Sequence, residues 1–280
     1  MRILGIERAL TFSPNRSGAD AAIFHETALA LSALGHTVTT MREEEFVQAL
    51  VPHHIEAVFT MARSQMALDK LQQIEREGVV VVNPPQGVLN CRRLPLTRIL
   101  LAASLPTAPS LILTSLDNPL PPLTYPCWIK RGDSHAIEQE DVSYVTCREE
   151  ALSLIASFKS RGIPCAVVNE HLAGDLIKFY GVGTQLLCHY TPAPDAGKFG
   201  LEKYNGIAQG YSYSARHLGT IAARAASLLS LPVYGGDAII SPDGEIKLID
   251  FNDWPGFSRC LPQAARAIAG YLHNHIKQNE

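Results

Sequence analysis

The sequence lacks several features that would mark whole classes of protein. No apolar run reaches the roughly 20 residues that a membrane-spanning helix needs, and residues 1–7 lack the three-part form of a signal peptide. There is no long run of one charge and the net charge is only −3, which argues against nucleic acid as a main partner. These absences predict a protein that works away from membranes and nucleic acids.

The six cysteines do not have the spacing of a metal site. No Cys-x-x-Cys pair occurs, and the adjacent Cys188 and His189 have no second pair that would complete a zinc site. Most of the cysteines lie in apolar contexts, where a free thiol behaves as a small hydrophobic side chain. Such cysteines indicate a reducing compartment, so we expect the protein to be cytoplasmic.

What the sequence does contain is a large apolar fraction, 46% of 280 residues against 18% charged, which is typical of a globular protein with two or three packed lobes. Strand and helix patterns alternate over residues 1–85, and the β-branched run at 79–82 is typical of a strand covered on both faces. This alternation predicts an α/β unit with a parallel sheet, which ends at Asn83, Pro84 and Pro85.

Beyond residue 85 the pattern mixes strands and helices less regularly. A helix is predicted over 88–103, where Pro95 should break it or delay its start. Three further helices are predicted at 148–161, 215–229 and 262–276. The predicted strands cover 127–130, 142–146, 165–169 and a long segment at 176–190. Residues 117–126 and 197–213 are interpreted as loops.

A β-hairpin near the C-terminus carries the most informative polar residues. Apolar residues 238–240 and 246–249 flank a Pro-Asp-Gly turn. Asp250 and Asn252 are two residues apart on a strand and therefore point to the same face, and Asp237 joins them if the strands pair in register. Three hard oxygen ligands on a rigid hairpin suit a Mg²⁺ ion that is held mostly by substrate phosphates.

Two upstream segments also place polar residues at strand ends. Lys130 ends an apolar strand just before a polar loop with Ser134 and His135, where a phosphate could be bound. The segment 169–175 ends another strand, and its backbone could hydrogen-bond an adenine edge. A solvent-facing lysine and a plain polar turn are the alternative interpretations of these two segments.

Taken together, these segments resemble the ATP-grasp superfamily, with likeness to RimK-like ligases and some to inositol trisphosphate kinases. The resemblance covers residues 80–260 and rests on the order of four motifs: Cys-Trp-Ile-Lys130, the loop 131–139, Asn-Glu-His-Leu-Ala-Gly174, and Asp237 with Asp250-Phe-Asn252. It implies an α/β (α+β) chain in which an N-terminal α/β domain of residues 1–85 precedes an ATP-grasp domain of residues 86–280. That domain would have a central lobe at about 107–172 and a C-terminal lobe at about 173–280.

The resemblance implies ATP and Mg²⁺ as cofactors and a role for each matching position. The nucleotide-binding positions would be Lys130, Ser134, His135, Glu170, His171, Leu172, Asp175 and Lys178, and the metal ligands Asp237, Asp250 and Asn252. Among these, Asp175 would take the ribose. Two departures from the family stand out: arginine replaces an early lysine near Arg92 and Arg93, and the loop after Lys130 contains a single glycine.

A ligase of this kind activates a carboxylate, and arginines would bind it. Arg63 and Arg259, with Lys178, are the catalytic candidates, and Arg16 is a further arginine of interest. The resemblance implies small-molecule carboxylate and amine substrates for an ATP-dependent carboxylate–amine ligase. A small-molecule kinase and a non-catalytic nucleotide-binding protein are the alternatives. A homodimer is compatible with the class, although no residue in the sequence argues for one.

Overall fold

The computed structural model describes residues 1–13, 17–50, 54–193 and 199–278. These residues form three sheets of four strands each. The sheets follow one another along the chain, so each can be built from its own stretch of sequence.

The first sheet is parallel and has the order β2-β1-β3-β4. Its strands are β1 (Arg2–Glu7), β2 (Thr37–Arg42), β3 (Ala57–Thr60) and β4 (Val80–Val82). The helices of this unit are α1 (Ser17–Ala33), α2 (Glu43–Gln48) and α3 (Gln65–Arg76). Strands β3 and β4 are almost wholly buried, as continuous apolar runs require in a sheet covered on both faces. The predicted parallel α/β unit is therefore present.

The second sheet is antiparallel and has the order β5-β8-β6-β7. Two helices lead into it, α4 (Pro85–Asn90) and α5 (Arg93–Ala102). Its strands are β5 (Ser110–Leu113), β6 (Cys127–Arg131), β7 (Val142–Val145) and β8 (Ala166–Glu170), with α6 (Arg148–Ser160) between the last two.

The third sheet is also antiparallel, with the order β10-β9-β11-β12. Its strands are β9 (Asp175–Val182), β10 (Gln185–Tyr190), β11 (Val233–Ile240) and β12 (Ile246–Asp253). Helix α7 (Ala215–Leu229) precedes the β11–β12 hairpin, and α8 (Leu261–Gln278) closes the chain.

The sequence interpretation differs from these elements in a few places. The predicted helix 88–103 is two helices, α4 and α5, and Pro95 lies in the first turn of α5, where its missing N–H costs nothing. The segment 176–190 is not one strand but two, because Gly183 adopts a positive φ of 58° and turns the chain. Helix α2, strand β5 and a short 3-10 helix at Leu201–Asn205 were not predicted.

The hydrophobic core continues from the first sheet into the third. Helix α1 packs on α8, and the buried side chains of Phe59, Trp254 and Phe257 belong to one apolar cluster. The Asn83 side chain binds the backbone of Val233 as a strand would, donating to its carbonyl at 2.7 Å and accepting from its N–H at 2.8 Å. Among the helices described, none is long and apolar enough to cross a membrane.

Candidate active site

A cavity of about 490 Å³ lies between the second and third sheets and reaches the first α/β unit. All three parts of the chain contribute side chains to its wall, including Arg63 from the first unit, Lys130 from β6 and Asp250 from β12. A ligand site is expected in such a cleft, where several charged side chains from different units point into one cavity.

The floor of the cavity is a face of the third sheet, on which strand pairing arranges residues in rows. Strands β9 and β11 pair Leu176 with Ile239, Lys178 with Asp237 and Tyr180 with Gly235. All six line the cavity, because alternate residues of a strand share a face. The floor therefore changes from apolar, through charged, to aromatic along the strands.

Strand β12 extends the second and third rows. Asp250 pairs with Asp237 and Asn252 with Gly235, so the three predicted metal ligands lie on one face in adjacent positions. A bulge follows Asp237, since Ala238 pairs with Leu248 and leaves Ile249 as an extra residue. Ile249 and Asp250 consequently both face the cavity. Asp237 therefore joins Asp250 and Asn252, as the sequence predicted for strands that pair in register.

The apolar end of the cavity is bounded by the last residues of β8 and the segment that follows it. Asn169, Glu170, His171 and Leu172 all line it, together with Trp128 from β6. The backbone N–H groups of Glu170 and His171 donate to the carbonyls of Pro109 and Pro126 at 2.9 and 3.2 Å. The N–H groups of Glu170 and His171 are therefore not available to hydrogen-bond an adenine. The predicted adenine contact would have to use the backbone of Leu172 or carbonyl groups of this segment.

Aromatic rings close this end. Trp128 donates its Nε1–H to Nδ1 of His171 at 3.2 Å, and burial lowers the pKa of His171. Tyr144 of β7 packs edge-on against both rings. Tyr204, from the short 3-10 helix, stacks on Tyr144 with ring centroids 4.5 Å apart. A segment that the sequence interpretation left as loop therefore contacts the second sheet.

Lys130 is the buried cation beside the middle row. Its ammonium donates to the carbonyl of Ile249 at 3.0 Å, and its exposed fraction is 7%. Burial and the nearby Arg93 lower its pKa to about 8. A buried ammonium with its charge disfavoured is ready to receive an anion, so the predicted phosphate contact has a physical basis.

Arg93 occupies the position beside Asp250. Its Nη1 lies 3.1 Å from Oδ1 of Asp250, whereas Arg92 points away and binds Gln65. Burial alone would raise the pKa of Asp250, but Arg93 and Lys130 outweigh it and lower that pKa to about 2. Of these two arginines, Arg93 is the one that lines the cavity.

Lys178 bridges two carboxylates. Its ammonium lies 3.1 Å from Asp237 on the neighbouring strand and 3.1 Å from Glu202 on the short 3-10 helix. Burial opposes its charge, but these two carboxylates raise its pKa above the ordinary value. Burial and the nearby Asp250 raise the pKa of Asp237. Glu202 was missed from the sequence because it lies in the segment 197–213, which has no strand or helix pattern and was interpreted as a loop.

Arg63 belongs to the first unit and is a candidate for binding the substrate carboxylate. In the structure it binds Asp253. Its Nε and Nη2 atoms donate to the two carboxylate oxygens of Asp253 at 3.1 and 2.7 Å. Arg8 lies beside this pair and bonds Asp20 at 2.9 Å and the carbonyl of Trp254 at 2.9 Å. Arg8, Asp20 and Asp253 were not identified from the sequence; for Asp253 the reason is that its partners Arg8 and Arg63 are far away along the chain.

The remaining predicted residues have mixed outcomes. His135 lines the cavity, but Ser134 does not and donates to the carbonyl of His135 at 2.9 Å. Arg259 is exposed at the cavity rim and lies over the ring of Tyr190, 5.1 Å from its centroid. Arg16 lies outside the described residues.

Asp175 is not among the residues that line the cavity, and the structure gives its predicted ribose contact no support. The carboxylate is 4% exposed and accepts three backbone N–H bonds, from Gln209, Gly210 and Tyr211, at 2.7, 2.7 and 2.8 Å. Both oxygens are thus committed to the loop before α7. The residue begins β9 and faces away from the row that its strand neighbour Leu176 starts.

The donor set fits a magnesium ion that is shared with phosphates. Asp237, Asp250 and Asn252 supply hard oxygens at adjacent positions, as Mg²⁺ prefers. Within the described residues, no three His, Cys, Asp or Glu side chains form a complete metal site. Such a partial set suits an ion that keeps several ligands from water and substrate.

Comparison with known proteins gives structural neighbours only. No protein-family model matches the chain, and no curated protein matches it significantly in sequence. A RimK-domain ATP-grasp protein from Sphaerobacter thermophilus superposes with a TM-score of 0.71 at 16% identity, over 98% of this chain and 100% of that one. D-alanine–D-alanine ligase from Bacillus anthracis, complexed with ATP, gives 0.69 at 14% identity, over 100% and 97% of the two chains.

A third neighbour is the ATP-grasp ligase PsnB, complexed with a minimal precursor, Mg and ADP. Its TM-score is 0.64 at 16% identity, and the match covers 98% of both chains. At such identities the likeness establishes the fold and nothing finer.

Proposed function

This chain has the ATP-grasp fold, and on that basis we propose that it is an ATP- and Mg²⁺-dependent ligase, which joins a carboxylate to an amine through an acylphosphate. The observation that carries the proposal is the order of the rows on the cavity floor: apolar, then charged, then aromatic beside Arg63. This order matches a base, a triphosphate and an acceptor laid end to end.

The nucleotide would lie along the first two rows. Leu176, Ile239 and Leu172 offer an apolar slot for the adenine, and Lys130, Lys178 and Arg93 face the phosphates. Mg²⁺, bound by Asp237, Asp250 and Asn252, would neutralise charge that develops on the transferred phosphoryl group. In the structure, Lys178 pairs with Glu202 and Asp237, and Arg93 pairs with Asp250. When the nucleotide binds, its phosphates would replace these carboxylates as partners of the two cations.

The acceptor would lie in the third row, under the first α/β unit. A carboxylate oxygen there attacks the γ-phosphorus, and the bond to the bridging oxygen of ADP breaks. The amine nitrogen then bonds to the acyl carbon, phosphate leaves, and the amine releases a proton. Arg63 and Arg259 would hold the acceptor's charge during the first step, since guanidinium groups suit carboxylates. The protein mainly positions reactants and balances charge.

The ligase is favoured over a kinase by its neighbours, since D-alanine–D-alanine ligase and PsnB are both described as ligases. The cofactors are supported in the same way, because those structures hold ATP or Mg with ADP. A cytoplasmic location is supported by the six free cysteines, which fit a reducing compartment.

The test is a screen of the purified protein with Mg-ATP, pooled carboxylates and pooled amines, in which ADP and free phosphate are measured separately. A ligase releases both products together, and only when both pools are present. Hydroxylamine in place of the amines should give a hydroxamate, which reports the acylphosphate directly. ADP without free phosphate, with a phosphorylated acceptor, would instead identify a kinase. Failure of Mg-ATP to bind would end the proposal.

A further inference from the structure

Asp253, the last residue of β12, lies where three separate parts of the chain meet. Arg63 follows β3 and binds both of its oxygens. Arg8 follows β1, and its Nη2 lies 3.6 Å from Oδ2. His135 belongs to the loop after β6, and its Nε2 lies 2.9 Å from Oδ1. No other residue named above joins all three parts.

The carboxylate is only 1% exposed, so it would be costly to bury without these partners. Guanidinium nitrogens of Arg63 and Arg8 lie 2.7 and 3.6 Å from its oxygens and provide the positive charge that such burial requires. Asp253 also directly follows Asn252, a proposed metal ligand, which lies in the third row of the cavity floor, next to the charged row.

The loop that carries His135 is anchored at both ends by other contacts. Arg131 bonds Asp133 at 2.8 Å, and the buried Asp141 accepts the N–H groups of Ile137 and Glu138 at 2.8 and 3.0 Å. Between these anchors, His135 is the side chain that reaches Asp253 across the cavity wall. The position of the middle of this loop therefore depends on Asp253.

We propose that Asp253 is a positioning residue, which fixes Arg63 and, through His135, the middle of the loop 132–138 against the phosphate end of the cavity. This inference rests on the proposed function, because the loop acts on the γ-phosphate only if the site binds a nucleoside triphosphate. The residue touches neither substrate nor metal in this role. It acts through the two side chains that it holds.

Positioning and simple charge predict opposite results, which makes the idea testable. If Asp253 only contributed a negative charge, its removal would strengthen the binding of an anionic nucleotide. If it positions the loop and Arg63, its removal weakens the binding of a triphosphate and leaves a diphosphate, which lacks the γ-phosphate, little changed.

The experiment compares Asp253→Asn with Asp20→Asn in the intact chain. Asp20 is a matched control, since it is a buried carboxylate of the same network whose hydrogen bonds come from Arg8 and Ser13. The dissociation constants of AMP-PNP and ADP are measured by calorimetry with Mg²⁺ present. We expect the preference for AMP-PNP over ADP to fall about tenfold in Asp253→Asn and to persist in Asp20→Asn. An unchanged or stronger preference in Asp253→Asn overturns the proposal.

A second variant covers the case in which Asp253→Asn does not fold. His135→Ala removes only the loop side of the contact and should lose the same preference for AMP-PNP. Amide hydrogen exchange of residues 132–138 should slow on addition of Mg-AMP-PNP in the wild type and not in His135→Ala. Wild-type binding with unaltered behaviour of both variants refutes the positioning role alone, whereas absence of wild-type binding refutes the proposed function as well.

Discussion

At the scale of single residues, the cavity is a set of buried charges held by neighbours. Lys130, Lys178, Asp237 and Asp250 could be named from the sequence because each stands at a strand end or within a strand whose apolar alternation is visible. Asp253 could not, because its partners Arg8 and Arg63 are 245 and 190 residues away along the chain. Pairings of that length are created by the packing of units and leave no local pattern.

On the proposed function, Lys130 should make nucleotide binding depend on pH. Its pKa of about 8 in the free protein means that the ammonium loses its proton above that pH, and with it the attraction for phosphate. We expect the affinity for AMP-PNP to fall about fivefold between pH 8 and pH 9. Lys130→Arg keeps its charge and should show no such fall, so the ratio of the two proteins' affinities isolates the effect. A parallel response of both proteins would contradict it.

Asp175 should matter for stability and not for nucleotide binding. Asp175→Ala leaves three backbone N–H groups without an acceptor, and we expect the free energy of unfolding to drop by about 3 kcal/mol. Asp117→Ala is the control, because that carboxylate is 83% exposed and its loss should change stability by less than about 0.5 kcal/mol. Denaturant titration measures both. A stable Asp175→Ala protein with weakened AMP-PNP binding would restore the ribose role.

At the scale of elements, the β11–β12 hairpin determines the order of the site. Its strands were predicted shorter than they are, but the turn and the apolar runs on either side were predicted correctly. The bulge after Asp237 could not be predicted, since nothing in the apolar run shows that Ile249 is the extra residue. Strand β5 was missed for a related reason, as four residues are too few to display a period.

Two aspartates of this hairpin should respond very differently to substitution. Asp250→Asn removes a carboxylate from the proposed metal set, and we expect Mg²⁺ to lose most of its effect on AMP-PNP affinity and turnover to fall at least about 100-fold. Asp243→Asn changes an exposed residue of the turn and should leave both unaltered. Calorimetry with and without Mg²⁺ gives the comparison. Equal Mg²⁺ dependence in the two variants would exclude Asp250 from the metal site.

At the scale of the whole molecule, the first α/β unit and the third sheet share one hydrophobic cluster. The predicted boundary after residue 85 falls at the first residue of α4, and no composition shift reveals that the core crosses it. The shared core could not be predicted from the sequence. An apolar pattern indicates that a face is buried, but it does not indicate which other element covers that face. The division into residues 1–85 and 86–280 stays a prediction.

Removal of residues 1–85 should expose this shared core. Helix α8 would lose its cover from α1, and Trp254 and Phe257 would lose neighbours such as Phe59. We expect residues 86–280 alone to bind a hydrophobic dye and to show no cooperative thermal unfolding, in contrast to the intact chain. A sharp transition without dye binding would show that the two parts fold independently.

The aromatic contact of Tyr204 has a practical consequence. The protein has two tryptophans, and Trp254 is fully buried, whereas the indole of Trp128 lies edge-on to Tyr204 with ring centroids 5.6 Å apart. Tyr204 belongs to the same short helix as Glu202, which pairs with Lys178 on the cavity floor. On the proposed function, the phosphates of a bound nucleotide displace Glu202 from Lys178, and we expect the ring beside Trp128 to move with it and the indole emission to change. Stopped-flow fluorescence of the unlabelled chain would then time ligand binding.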